Sequence, residues 1–526
     1  MSHLNLTKRQ MLLGSLAGAA VTLGPRSPAL AASQLNVVLE SEAVILDPHA
    51  TTAAITRTFG YHVFDTLFSM DSKGVIKPQM VRDYSVSPDG LTWSFTLRDG
   101  LVFHDGTPVT AADCVASLQR WAPKDSLGRM LGKVLAGMKA EDGRTFTISL
   151  KEKFPLMLDV LGKPNAPVPF ILPERIVRAA GDKRITEMVG SGPFSFVAAE
   201  WRPGDRMTLA RNAAYVPRQE APDFLAGGKV VKVEQVVLKV MPDDVTGATA
   251  LLAGEIDYMQ YLPFDLLARL DSTPGVKLMA LSGIDMFQGN FRLNHASGPF
   301  ADPAVRRVLW KLVDQAETLE AIGIPARFAL KDCKSFWMCD SALSTDAGSQ
   351  PAKFSVADAR AELARTRYAG EPVVIMEVAG SISQTAGNVL AQHMKQAGFT
   401  VDEQTMDWGT VLARRAKRDG WSLFPVYSNG VDMVSPLNHF YISNNCADYP
   451  GWSCDAAMST MLADFAAATT PDQRREIAAK IQVAAYELVP SVMWGQFSRP
   501  AGYRTRLKNM IQSSFPMFWE VELTSA

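Results

Sequence analysis

Apolar and polar residues alternate with a period of two over 35–39, Thr92–Leu97 and 144–150. That spacing predicts strands with one buried face. A longer alternating run covers 230–240, and shorter strand patterns cover 373–376 and 399–406. Between these segments the period becomes helical. Residues 56–68 carry Phe59, Val63, Phe64 and Leu67 on one side, which predicts a helix across that span. Thr110, with Asp113 three residues later, reads as a capping pair for a helix running to about Trp121. Residues 246–253 form a short helix stopped by Gly254, and Asp302 caps a helix with Pro303 in its first turn. Further helices are predicted over 356–368, 385–396 and 473–488, and Asp99-Gly100 and Asp105-Gly106 mark tight turns. The strand–helix–strand order after residue 356 predicts an α/β unit.

One apolar stretch does not fit this pattern. Lys8 and Arg9 precede a pale, Gly/Ala-rich run over 11–24, and Ser27-Pro28-Ala29-Leu30-Ala31 offers small residues at a processing site. Residues 1–31 therefore read as an export leader, placing the remaining chain in the periplasm. The pale run resembles a twin-arginine leader, but one of the two arginines is missing. After the leader, no run approaches the ~20 apolar residues of a membrane span, so the chain is expected not to be membrane-inserted. Loss of Lys8, Arg9 and Arg26 leaves 50 basic against 54 acidic residues, with no electrostatic footprint for nucleic acid. The remaining length exceeds the ~250–300 residues of one core, so at least two domains are expected.

The five cysteines suit an oxidising compartment. Cys333 and Cys339 lie six apart, and Cys446 and Cys454 eight apart, in loop-like segments. Two local disulfides are expected, with Cys114 left over in a helix. The alternative, a metal site, would want closer cysteines and nearby histidines, and only His439 lies close to one.

The chain shows no H-E-x-x-H, no G-x-S-x-G and no phosphate-cradling P-loop. Ser191, in Gly190-Ser191-Gly192-Pro193, superficially resembles a nucleophile turn, but the proline opposes the helix such a turn needs. Asp243-Asp244 reads more simply as a helix cap than as a catalytic pair. An exported chain with α/β regions, no catalytic signature and no expected cofactor reads as a binding protein.

Residues 97–113, LRDGLVFHDGTPVTAAD, resemble the signature of the extracellular solute-binding proteins of peptide/nickel-type ABC importers. Four further segments agree in order: GSGPF from Gly190, LARN from Leu209 with Tyr215, LAGEID from Leu252, and residues 294–314 with Pro299-Phe300-Ala301-Asp302 and Val305-Arg306-Arg307. The resemblance implies an α/β, two-lobed periplasmic-binding-protein clamp, with the larger lobe subdivided and built from both ends of the chain. Carried over, the large lobe takes 32–284, the small lobe is inserted over 285–492, and 493–526 returns to the large lobe. It also implies a monomeric receptor that closes over a small-molecule solute, foremost a short peptide or amino-acid-derived compound, and hands it to an inner-membrane ABC permease. An opine, a sugar, a metal chelate or an aromatic acid are alternative solutes, and a periplasmic chaperone or sensor component is an alternative role.

Candidate ligand residues follow from the same resemblance. Asp432, in a segment opened by Asn429, matches the position where peptide binders pair an acid with the ligand's ammonium, although Ser435-Pro436 replaces the usual Asp-Pro. A turn-forming aspartate is the competing reading. Trp408 matches a cleft-lining tryptophan, with a place in the lobe core as the alternative. In 377–384, where some dipeptide binders carry an arginine for the carboxylate, this chain has Ser381, Ser383 and Gln384 beside a helix start. Tyr61 and Phe287 are weaker candidates, each with a core or hinge role as the alternative. If the leader reading holds, N-terminal sequencing of the exported protein should begin at about Ala32; a periplasmic species still starting at Met1 would contradict it.

Overall fold

The computed structural model describes residues 33–524, so the leader lies outside the described residues. Two large sheets organise the chain. The first has seven strands. At its centre Gln34–Val38 pairs in parallel with Gln235–Lys239 on one side and Tyr258–Met259 on the other. The helix Asp244–Ala253 makes the crossover between the latter two strands. Asp243 caps that helix through Thr246 N–H, and Gly254 ends it in the left-handed region at φ 79°, as the stop signal requires. Ala501–Arg504 enters the same sheet antiparallel, between Tyr258–Met259 and Val276–Met279. The C-terminal segment is thus woven into the lobe that the N-terminal strand began.

The second sheet has six strands, with Phe287–Leu293 between Ser491–Phe497 and Leu423–Asn429. All residues of Phe287–Leu293 and of Ser491–Phe497 are buried. Their close packing requires Gly289, since a Cβ there would lie 2.1 Å from the Trp494 ring. Val373–Val378 and Val401–Met406 complete a parallel pair joined by the helix Ile382–Ala397, the α/β unit read from the sequence. The expected boundary at 492/493 cuts a strand lying wholly in this second sheet; the chain rejoins the first sheet at Ala501. A four-stranded antiparallel sheet, Val81–Val86, Thr92–Leu97, Thr145–Leu150 and Leu135–Ala140, forms a subdivision of the large lobe.

Several sequence expectations change in detail. The helix expected over 56–68 runs over Ala54–Val63 and gives way to the short strands Asp65–Thr66 and Phe68–Met70. The reason is tertiary: Gly190 and Gly192 press against the Val63 carbonyl, and Gly192 N–H donates to it at 3.0 Å. The long strand expected over 230–240 is ordered as a strand only over Gln235–Lys239, where it has the partner Gln34–Val38. The capping pair is found as read, with Thr110 and Asp113 forming a reciprocal capping box for Ala111–Trp121.

The family-like motifs support one another. His104 accepts from Gly190 N–H through Nδ1 at 3.2 Å, and its Nε2 lies 3.1 Å from the Gly192 carbonyl. The histidine thereby pins the GSGPF loop against the end of the helix Ala54–Val63, a scaffold role. Cys333–Cys339 and Cys446–Cys454 are disulfides, and Cys114 is a buried free thiol. Alkylation of unreduced, unfolded protein should therefore label Cys114 alone, and loss of either disulfide should cost about 2–4 kcal/mol. Labelling of all five cysteines would refute the pairing.

Candidate functional site

The helix Ala54–Val63 is buried from Thr56 onward and carries Arg57 and Tyr61 one turn apart. Arg57 is only 2% exposed. Its guanidinium lies over the Phe515 ring, 4.4 Å from the centroid, so the C-terminal segment supports it from below. Tyr61 stacks on the same phenylalanine at 5.8 Å. This wall belongs entirely to the large lobe.

The facing wall comes from the small lobe. The strand Leu423–Asn429 ends in a 3-10 turn, Gly430–Asp432, whose three residues are buried. Gly430 permits a close approach there, because a Cβ would lie 2.7 Å from the carbonyls of Ile284 and Met286. Val431 belongs to the large lobe's apolar cluster with Phe59, Tyr61 and Phe515. Burying one such side chain contributes about 1.5–3 kcal/mol to lobe contact. Beside it, Arg57 Nη1 donates to Asp432 Oδ1 at 2.6 Å, with both side chains nearly inaccessible.

This ion pair crosses between lobes. Burial pushes the Asp432 carboxyl upward, against the pull of the nearby Arg57 and Lys163 charges. Lys163 is also buried, paired with Asp125, and burial lowers its pKa. Burial likewise raises the Tyr61 hydroxyl, which lies within the fields of Arg57 and Asp432. Among the described residues, Arg57 Nε and Nη2, Asn165 Oδ1, Asn429 Oδ1 and Ser514 Oγ are buried without a hydrogen-bond partner. Native interiors leave few such atoms, and each calls for a partner.

Other contacts join the lobes at the rim. Tyr427 donates to Glu40 at 2.5 Å and Arg129 donates to Asn444 at 2.9 Å, while Arg499, on the segment leading back to the first sheet, donates through Nη2 to Asp244 at 3.1 Å. Arg499 lies over the Tyr261 ring at 4.4 Å and also donates to the Tyr427 hydroxyl at 3.2 Å.

The candidates read from sequence separate into two groups. Asp432 and Tyr61 lie near one another at the junction of the lobes, and Asn429 ends the strand that leads into the Gly430–Asp432 turn. Phe287 is buried among Tyr261, Tyr427 and Phe497, an aromatic cluster at the crossing strand. Trp408 is 40% exposed at the start of the helix Trp408–Arg415, with Arg415 over its ring at 5.5 Å. Ser381 caps the helix Ile382–Ala397, accepts from Gln384 N–H and contacts Ser383 Oγ at 2.9 Å. The Gln384 side chain accepts from Gly380 N–H and donates to Thr405. These groups are consumed by the local cap. Nearby Glu377 is buried beneath the helix, and burial, reinforced by Glu403, pushes its carboxyl up to about 7. Arg57 is the residue that sequence reasoning missed. The available signal was that Arg57 is the one Asp, Glu, Lys or Arg residue on the helix Ala54–Val63, which a partner from elsewhere explains.

Among the described residues, no group of three or more His, Cys, Asp or Glu could hold a metal ion, and no helix is long and apolar enough to cross a membrane. Asp432→Asn should leave the Arg57 charge buried and uncompensated, weakening lobe contact by about 3–5 kcal/mol. Small-angle scattering of ligand-free protein should then show a larger radius of gyration than wild type; an unchanged radius would mean the pair does not hold the lobes.

Comparisons with known proteins agree with the fold. Residues 75–450 match the family model of bacterial extracellular solute-binding proteins, family 5 Middle. The chain is 35% identical, over 99% of its length and all of the relative's, to a probable peptide ABC transporter periplasmic-binding protein of Sinorhizobium fredii. Similar solved folds include a dipeptide-binding protein from a Pseudoalteromonas species in complex with Met-Leu, with TM-score 0.79, 18% identity and coverage of 94% of this chain and 100% of that one. Another is the agropinic-acid complex of a periplasmic binding protein from A. tumefaciens, with TM-score 0.77, 21% identity and coverage of 94% and 99%. The chain belongs to the bacterial extracellular solute-binding proteins of family 5, the periplasmic solute receptors of ABC importers.

Proposed function

We propose that this receptor closes its lobes over a short peptide or amino-acid-derived solute, delivers it to an ABC permease as a monomer, and performs no chemistry on it. The observation that carries this reading is the buried interlobe pair itself, in which Arg57 keeps Nε and Nη2 without a partner and Asn429 Oδ1, three residues before Asp432, is likewise unpaired. A solute that brings its own donors and acceptors satisfies them on closure, and such pairing is what fixes orientation in an otherwise apolar cleft. The 35%-identical relative, named for peptide transport, supports the same solute class.

A second reading is an opine-like amino-acid derivative. It is favoured by the Arg57 contact, since Asp432 Oδ1 already has a cation and is less available to a free ammonium. Native mass spectrometry of gently purified protein should reveal a retained, nitrogen-containing compound of one of these two kinds, and scattering should show compaction when it is added back. A retained mass lacking nitrogen, or turnover of the compound without net retention, would refute the proposal.

A further inference from the structure

We infer that Arg57 reads an anionic group of the solute, a carboxylate, through its Nε–Nη2 edge while its Nη1 holds Asp432. This deepens the proposed function and rests on it for the solute class. A guanidinium presents five N–H donors in a rigid planar fork, and its side-on edge matches the two oxygens of a carboxylate. In Arg57 the two functions are divided. Nη1 donates to Asp432 Oδ1 at 2.6 Å and approaches the Pro164 carbonyl at 3.4 Å. Nε and Nη2 are buried and, among the described residues, have no partner. One face of the group is fixed on the Phe515 ring, so the fork is held in one plane.

The neighbouring cations are already committed. Lys163 pairs with Asp125, Lys229 pairs with Asp65 at 2.9 Å, and Arg499 pairs with Asp244 at 3.1 Å. Residues 377–384 on the small lobe contain no Arg, Lys or His. Among these cations, Arg499 leaves only Nε without a partner, whereas Arg57, beside Asp432, leaves both donors of one edge, Nε and Nη2. Charge balance then bears on the other end of the solute. Asp432 Oδ2 has no hydrogen-bond partner among the described residues. A solute with a carboxylate on Arg57 and a positive group toward Oδ2 leaves the junction neutral, which peptides and amino-acid derivatives satisfy. Reading the carboxylate from the large lobe and the cation from the small lobe would make closure depend on both charges of the solute.

The test uses the full mature protein and three probes: a mixed dipeptide library with free carboxyl termini, the same library as carboxyl amides, and a periplasmic extract before and after methyl esterification. Calorimetry and native mass spectrometry read binding. Wild type should prefer the free acids over the amides by about 30-fold or more. Arg57→Lys keeps a positive charge for Asp432 but lacks the fork. It should fold and melt like wild type yet lose most of the acid-over-amide preference, whereas a purely structural arginine would be rescued by lysine. Equal binding of acids and amides by wild type, or an unchanged preference in Arg57→Lys, would overturn the inference and leave the peptide-receptor reading intact. If no dipeptide binds but an acid retained from the extract is lost after esterification and in Arg57→Lys, the carboxylate assignment stands and the peptide reading falls. If extract binding survives esterification, or nothing binds wild type, the assignment falls.

Discussion

A buried charge pair that spans two lobes sets the conditions for everything around it. Arg57 and Asp432 lie 375 residues apart in sequence and meet at 2.6 Å with almost no access to water. Neither charge is tolerable in that place without the other, because the cost of removing an isolated ion from water runs to several kcal/mol. The pair therefore penalises any arrangement in which the lobes are out of register. It is weak as a source of net stability and strong as a specification of alignment.

The scaffold can be understood as what brings those two groups together. The helix Ala54–Val63 is held at its end by the Gly190–Gly192 loop, itself pinned by His104. Phe515, from the C-terminal segment, lies beneath both Arg57 and Tyr61. On the other side, Gly430 lets the turn after the strand Leu423–Asn429 approach the crossing segment closely, and Val431 seats in the large lobe's apolar cluster. Apolar contact supplies the attraction, and the ion pair with the Tyr427–Glu40 and Arg129–Asn444 contacts supplies direction. A clamp built this way keeps two sturdy sheets and confines its adjustable contacts to their junction.

Much of the fold was legible because its signals are local. Thr110 with Asp113, Asp243 with Gly254, and Asp302 before Pro303 all cap the helices that the pattern assigned to them. The α/β unit through the helix Ile382–Ala397 and both disulfides were likewise readable from periodicity and spacing. The site was legible only in part. Of the candidates, Asp432 and Tyr61 lie near one another at the lobe junction, whereas Ser381, Ser383 and Gln384 serve a helix cap, and Trp408 lies on an exposed helix start.

The sequence alone determined the export leader reading, the lobe-forming periodicities, the caps and the family-like motifs, since each depends on residues near one another in the chain. Tertiary structure alone decided where the first helix stops, because Val63 is met by glycines more than a hundred residues away. It also placed Ser491–Phe497 wholly in the second sheet, because the ladder partner Phe287–Leu293 is distant in sequence. Above all it gave Arg57 its meaning. A charge on a buried helix face carries no local sign of its partner, since electrostatic pairing depends on distance in space and on the exclusion of water, and neither is written into the spacing of residues along the chain.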